Sequence, residues 1–237
     1  VSEILDVQAS SERDEALERA EKAIADGELV VIPTDTVYGV AANAFSAQAV
    51  ALLLASKGRN RTMPPPVLIA SHATMPGLAR DITTDVTKLA QEFWPGALTI
   101  IVHAQPSLTW DLGETKGTVA LRVPDDEVAQ ELLRKTGPLA VSSANRTGRP
   151  AARTAAEAQE QLADSVTFYL DGGERNESGE PSTIVDATVT PMRVVREGAI
   201  SLERLRDVVP DIEDIEGKGP DNADDADDVS EDASAES

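Results

Sequence analysis

Short apolar runs alternate with amphipathic stretches along most of this chain. Ala16, Leu17, Ala20, Ala23 and Ile24 recur at helical spacing behind Ser11-Glu12-Arg13-Asp14, which reads as a capping box, and Gly27 stops that helix. Leu29-Val30-Val31-Ile32 has strand length and ends at Pro33. From Ser46, the segment Ala49 to Leu54 is apolar nearly all round, which predicts a buried helix closed by Gly58. Further strands are expected at 67–69, 98–102, 118–123, 139–141, 166–170, 183–185 and 193–195. Helices are expected from a Thr84 cap to Phe93, from Asp125-Asp126-Glu127 to Gly137, over 154–163, and over 202–208 behind Ser201. Helices and strands are mixed throughout, so the predicted class is α/β (α+β): one domain with a large twisted mixed β-sheet and flanking helices.

Charge changes that picture at the C-terminal end. The chain has 237 residues and a formal net charge of −21, and residues 211–237 hold twelve acidic side chains against one lysine. That stretch has almost no large apolar side chain after Ile215. It cannot bury enough surface to offset ordering, so the expected division is a folded domain over 1–210 and a disordered acidic tail over 211–237. There is no cysteine, hence no disulfide and no thiolate metal site. No apolar run is long enough for a membrane span, and the polar, acidic start does not read as a secretory signal. A cytoplasmic protein is the expectation.

The usual nucleotide signatures are missing: there is no Gly-x-x-x-x-Gly-Lys-Ser/Thr loop and no Gly-x-Gly-x-x-Gly after a strand. His72 and His103 stand 31 residues apart without a ligand-like cluster. The candidate chemistry is distributed instead. Lys57-Gly58-Arg59-Asn60-Arg61 places three cations in five residues of an acidic chain. Such a cluster is either a solvated turn or a grip on a polyphosphate, with lysine as point charge and arginine as fork. Arg122 lies inside an apolar strand, where arginine is rare unless it meets a buried carboxylate or faces an anionic ligand. Arg196 repeats that pattern. Ser142, Ser143 and Asn145 close a strand, either satisfying a turn or opening onto a crevice. Thr34, Asp35, Thr36 and Tyr38 form a similar polar segment, Trp94-Pro95-Gly96 reads as a packed turn, and the long 172–182 stretch reads as a loop of lid type.

Six ordered segments carry a resemblance. They are Pro33-Thr34-Asp35-Thr36-Val37-Tyr38-Gly39, Lys57-Gly58-Arg59, Phe93-Trp94-Pro95-Gly96-Ala97-Leu98-Thr99, Leu121-Arg122-Val123-Pro124, Ser143-Ala144-Asn145 and Ser182-Thr183-Ile184-Val185-Asp186. Over roughly residues 14–208 the chain resembles the YrdC/Sua5 family of L-threonylcarbamoyladenylate synthases. The resemblance implies a YrdC-like sheet with a concave basic cavity. The implied reaction converts L-threonine, bicarbonate and ATP to threonylcarbamoyl-AMP and pyrophosphate. The product then passes to a tRNA threonylcarbamoyl transferase complex for N6-threonylcarbamoyladenosine at position 37.

By that resemblance Lys57, Arg59, Ser143 and Asn145 form the catalytic tetrad and, with Thr118 and Arg196, bind ATP. Thr36, Arg122 and Ser182 hold threonine or its carbamate, and Mg²⁺ rides on the ATP phosphates with no protein cage. Two departures stand out. Asn60 replaces the family's proline, and Met63-Pro64-Pro65-Pro66 replaces an Asn-Pro-Leu-type stretch, with Arg61 as a candidate substitute contact. The chain reads as the short form, without the family's additional C-terminal domain. Rival readings are a carbamoyl-adenylate-forming domain of the carbamoyltransferase type and a non-catalytic module with weak RNA binding. The acidic balance of residues 1–210 weighs against the second.

Overall fold

The computed structural model describes residues 2–175 and 179–220. In chain order the elements are β1 (Glu3–Asp6), α1 (Ser10–Ala25), β2 (Val30–Ile32), β3 (Gly39–Asn43), α2 (Ala47–Ser56), β4 (Val67–Leu68), α3 (Met75–Leu78), β5 (Ala79–Arg80), α4 (Thr84–Phe93), β6 (Leu98–Ala104), β7 (Thr118–Arg122), α5 (Glu127–Thr136), β8 (Leu139–Ser143), α6 (Ala155–Leu162), β9 (Phe168–Asp171), β10 (Thr183–Asp186), β11 (Arg193–Arg196) and α7 (Leu202–Arg206). Among the described residues all eleven strands join one mixed sheet, in the order β1-β9-β2-β3-β8-β4-β7-β6-β10-β11, with β5 paired to β6. The α/β class and the single large sheet expected from the pattern are both present.

Alternation along the central strands divides the core in two. Val30 and Ile32 face the side covered by α1 and α5, whereas Val31 and Val40 face the side covered by α2, α4 and α6. Helix α1 buries the five residues its spacing predicted. Its N-cap, however, is Ala9 without a side-chain bond, so the Ser11 capping box does not form. Thr83, one residue before the expected Thr84, caps α4 by accepting from Val86 N. Ser46, Asp126, Thr154 and Ser201 cap α2, α5, α6 and α7 through their side chains.

Three expectations need correction. Helix α2 is not buried all round: Ala51, Leu52 and Ala55 are exposed, because only one face of α2 meets the sheet. Strand β3 had no sequence signal, since Gly39-Val40-Ala41-Ala42-Asn43 is poor in strand formers. It exists because β2 and β8 pair with it on both sides, and its small side chains let both layers close over it. Residues 211–220 are ordered rather than part of a tail. Ile212 is completely buried, Val194 N donates to Glu213 O at 2.9 Å, and Glu213 N donates to Met192 O at 2.8 Å. The edge of β11 supplies unpaired backbone groups and an apolar seat, which the acidic composition of this stretch did not reveal. Residues 221–237, the rest of the expected tail, lie outside the described residues.

Candidate active site

Seven neighbouring strands, β3 to β11 in sheet order, each contribute a wall residue to one cavity of about 560 Å³. Register explains the convergence. Arg196 stands opposite Ile184, Ile184 opposite Thr99, and Leu68 opposite Arg122. Gly39 stands opposite Ser143 at the other flank. A Cβ on Gly39 would approach Val141 Cγ1 to 2.6 Å, so this wall depends on a missing side chain. The segments 63–66 and 179–182 close the remaining sides through Met63, Pro64, Pro66, Gly179, Pro181 and Ser182.

The charge balance of the wall is one-sided. Arg59, Arg122 and Arg196 all line the cavity, and among the described residues no Asp or Glu does. Burial pulls all three guanidinium pKa values down, and for Arg196 the charges of Arg122 and Arg59 add to it. Arg122 settles the alternative left open by its sequence in favour of both readings. Its Nη2 donates to Asp35 Oδ1 at 2.6 Å, a buried ion pair, while it also faces the cavity. Its Nη1 donates to Thr36 Oγ1 at 3.1 Å and its Nε to Gly96 O at 2.9 Å. Gly96 is required there: its φ is 157°, and a Cβ would lie 2.6 Å from Phe93 O.

Arg196 wraps the start of β10. Its Nε and Nη2 donate to Ser182 O at 3.0 and 2.6 Å, and Nη2 also reaches Ser182 Oγ at 3.0 Å. Ser182 Oγ shares a 2.8 Å hydrogen bond with Thr99 Oγ1. Arg59 is the least committed of the three. Its Nη1 donates to Ser142 Oγ at 3.1 Å, and its buried Nε has no hydrogen-bond partner among the described residues. A buried guanidinium N–H without an acceptor is costly, and an anion in the cavity would supply the acceptor.

Lys57 is placed differently from the sequence expectation. It joins Ser143 and Asn145, but from behind the wall: it is 1% exposed and does not line the cavity. Its ammonium donates to the carbonyl of Ser143, to Asn145 O at 2.6 Å and to Asn145 Oδ1 at 3.4 Å. Burial, and next the nearby charge of Arg59, lower its pKa to about 7. Its own carbonyl accepts from Thr147 N and Thr147 Oγ1. Lys57 therefore braces the Ser143–Thr147 loop rather than presenting a charge to the cavity.

The structure brings together Arg59, Ser143, Asn145, Thr36, Arg122, Ser182 and Arg196 on the cavity wall. It does not bring Thr118 there. Thr118 stands at the far end of β7 from Arg122, and its hydroxyl donates to Thr115 O at 2.8 Å. Nor does Arg61 replace a lost contact, since it pairs with Asp111 at 2.7 Å on the exposed side. The loop after β9 starts on a clamp. Arg175 Nη1 donates to Asp126 Oδ2 at 2.8 Å, and Tyr38 OH donates to Gly173 O at 2.6 Å. Trp94 is 6% exposed, a packed turn as expected.

Sequence reasoning missed Thr99 and Gly198. Thr99 is a lone polar residue in an apolar strand, the same signal that marked Arg122. Gly198 had no local signal. A Cβ there would lie 2.7 Å from Ser182 C and 2.8 Å from Thr183 N, so Gly198 lets the chain pass close behind Ser182.

Among the described residues no group of three His, Cys, Asp or Glu could hold a metal ion, and the Asp35 carboxylate beside the cavity is engaged by Arg122. The wall offers cations and neutral donors, a set that fits a metal carried on phosphates and not one held by the protein. No helix of the described residues is long and apolar enough to cross a membrane.

The Sua5/YciO/YrdC family model, whose description reads telomere recombination, matches residues 22–198. A Mycobacterium tuberculosis H37Rv protein is 47% identical over 209 residues, 88% of this chain and 96% of that one, and is named provisionally as a threonylcarbamoyl-AMP synthase. The Pyrococcus abyssi threonylcarbamoyl-AMP synthase is 35% identical over 190 residues, 80% of this chain and 56% of that one. The crystal structure of P. abyssi Sua5 complexed with L-threonine superposes with a TM-score of 0.85 at 32% identity, covering 90% of this chain and 62% of that longer one. Escherichia coli YciO, at 20% identity and a TM-score of 0.78, shares the fold.

Proposed function

The chain belongs to the Sua5/YciO/YrdC family, and from that premise we infer that it is a threonylcarbamoyl-AMP synthase acting on ATP and L-threonine. The observation that carries the reading is a cavity lined by three arginines and, among the described residues, no carboxylate. Every species on the reaction path after the free amine is anionic. The neutral amine of threonine adds to the carbon of bicarbonate with loss of water, giving a carbamate. A carbamate oxygen attacks the α-phosphorus of ATP, and the bond to the β-phosphate oxygen breaks to release pyrophosphate.

The wall residues divide this work by what they have free. Arg59 uses one of its five N–H groups on Ser142, which leaves four without a partner among the described residues to meet charge developing on the phosphates. Arg122 spends three N–H groups on Asp35, Thr36 and Gly96 and keeps two, held rigidly, for a carboxylate or carbamate. Ser182 and Thr99 present hydroxyls beside Arg196, a seat for the small polar amino acid. Ser143 and Asn145 stand on the loop that Lys57 braces, at the opposite flank of the cavity. Positioning and charge stabilisation suffice, as in other phosphoryl transfers, and no histidine lines the cavity. Mg²⁺ on the ATP phosphates would offset their charge and polarise the reacting phosphorus. We place the reaction in the cytoplasm, with its labile product handed to the enzyme system that modifies tRNA.

The test is pyrophosphate release from ATP with threonine and bicarbonate each present or withheld, together with detection of threonylcarbamoyl-AMP. Release should require both. Arg59→Ala should lower the rate about a hundredfold or more, the usual loss for one donor aimed at transition-state charge. Release without threonine would point to the carbamoyltransferase-type reaction instead. Salt-dependent RNA binding without any turnover would leave only the binding module.

A further inference from the structure

Arg175 and Asp126 carry buried charges that do not line the cavity. They form an ion pair at 2.8 Å, with side chains 17% and 10% exposed. Taking both charges out of water is costly, and apolar side chains of the same size often serve stability as well. The value of such a pair lies in the geometry it fixes.

Arg175 closes on three segments at once. Its Nη2 donates to Gly172 O and its Nε to Gly173 O at 3.2 Å. Its guanidinium carbon lies 5.7 Å from the centre of the Tyr38 ring, within reach of a cation–π contact. Its third partner, Asp126, is also the cap of α5, where Oδ1 accepts from Ala129 N at 2.9 Å. Pinning Asp126 pins the residue before it. The N–H of that residue, Asp125, donates to Asp35 Oδ1 at 3.0 Å, and the same oxygen accepts from Arg122 Nη2 at 2.6 Å.

The segment from Asp35 to Tyr38 is thus held from behind at both ends. Asp35 is held through the start of α5. Tyr38 is held through its ring face and its hydroxyl, which accepts from Gly172 N at 3.1 Å and donates to Gly173 O at 2.6 Å. Between them stands Thr36, the other side chain that Arg122 grips. The charges agree with this arrangement. Burial pushes the Asp126 carboxyl up, the N–H of Ala129 and the charge of Arg175 pull it back, and the charge of Asp35 adds to the push. Two acids and two arginines alternate, so Arg175 keeps Asp126 from competing for Arg122.

We propose that Arg175 and Asp126 are positioning residues for threonine. The pair fixes Asp125 N and Tyr38, these fix Asp35 and Thr36, and the result is the aim of the two N–H groups that Arg122 has left. The inference rests on the reading of Arg122 as the group that meets the threonine carboxylate or carbamate. Arg59, anchored on Ser142, lies outside this network, so the phosphates lose nothing when the pair is broken.

The test measures KM for threonine and for ATP in Arg175→Gln, in Asp126→Asn and in the double variant, with threonine binding also read by calorimetric titration. Asparagine can still cap α5, so Asp126→Asn breaks the ion pair and spares the helix start. Each single variant should raise the KM for threonine about tenfold and leave the KM for ATP within about twofold of wild type, because a misaimed Arg122 loses one substrate only. The double variant should be no worse than the more affected single one, since both substitutions remove one pair. A threonine KM within about twofold of wild type in both single variants overturns the proposal. So does a parallel rise in both KM values, the mark of general loosening, and so do single effects that multiply in the double variant. If Arg175→Gln does not fold, Asp126→Asn decides by the same ratio of KM values. A wild type that neither binds threonine nor forms threonylcarbamoyl-AMP removes the functional reading itself, a result visible before any variant is made.

Discussion

Lys57→Met tests whether the buried ammonium is a strut or a solvated charge. Methionine keeps most of the stem and removes the donor. In the folded protein that donor serves Ser143 O, Asn145 O and Asn145 Oδ1. Ser143 O keeps a second donor in Asn145 N, so two acceptors are left bare. At about 1–3 kcal/mol for each buried unsatisfied group, the loss is about 2–6 kcal/mol. Against it stands the cost of burying the charge. Lys57 titrates at about 7 instead of 10.5. At about 1.4 kcal/mol per pH unit, that gap costs the wild type roughly 5 kcal/mol below pH 7.

The folded pKa lies below the unfolded one, so the unfolded chain binds the extra proton between pH 7 and 10.5. Wild-type stability therefore rises with pH across that window, whereas the variant has no such term. Urea denaturation at pH 6, 7.5 and 9 reads the difference. Near pH 6 the two effects should nearly cancel. By pH 9 the wild type should have gained about 3 kcal/mol relative to the variant. A difference that stays flat from pH 6 to 9 would show that the surrounding carbonyls fully replace water around the ammonium, and the argument from burial would be wrong.

The ion pair and the C-terminal segment give two more tests. Arg122→Ala strands Asp35 in a site that leaves it 15% exposed, and should cost about 3–5 kcal/mol, a melting point lower by roughly 10 °C. Asp35→Asn in the same chain should recover part of that stability while the KM for threonine stays high; recovery of threonine affinity would remove Arg122 from the substrate. Truncation after Pro210 discards the fully buried Ile212 and the backbone bonds of Glu213 to Met192 and Val194, and should lower the melting point by several degrees relative to truncation after Pro220. Equal melting points would show that 211–220 adds nothing to the fold.

Local chemistry was legible wherever a residue contradicted its surroundings. Arg122 in an apolar strand, cations after α2, and hydroxyls and a carboxamide at the end of β8 all marked the site, because a buried polar group must have a partner. The helix cap at Ser201 and the stops at Gly27 and Gly58 were readable for a similar reason: each satisfies or releases nearby backbone groups. Where a rule failed, the cause was a contact outside its window for Arg61, which is drawn off to Asp111; Ala9 rather than Ser11 is the N-cap of α1, and no contact in the structure explains that shift.

By itself, the order of residues determined the mixed class, most helices and strands, the resemblance to a family and the identity of the side chains that carry charge. Their direction was decided only by the sheet. Pairing of β3 between β2 and β8, and a shared rung from Arg196 to Thr99, bring together groups separated by more than a hundred positions. The same packing turned Lys57 inward and left Thr118 at the wrong end of its strand. Hydrogen-bond register and burial are properties of partners distant in the chain, so no window of sequence contains them.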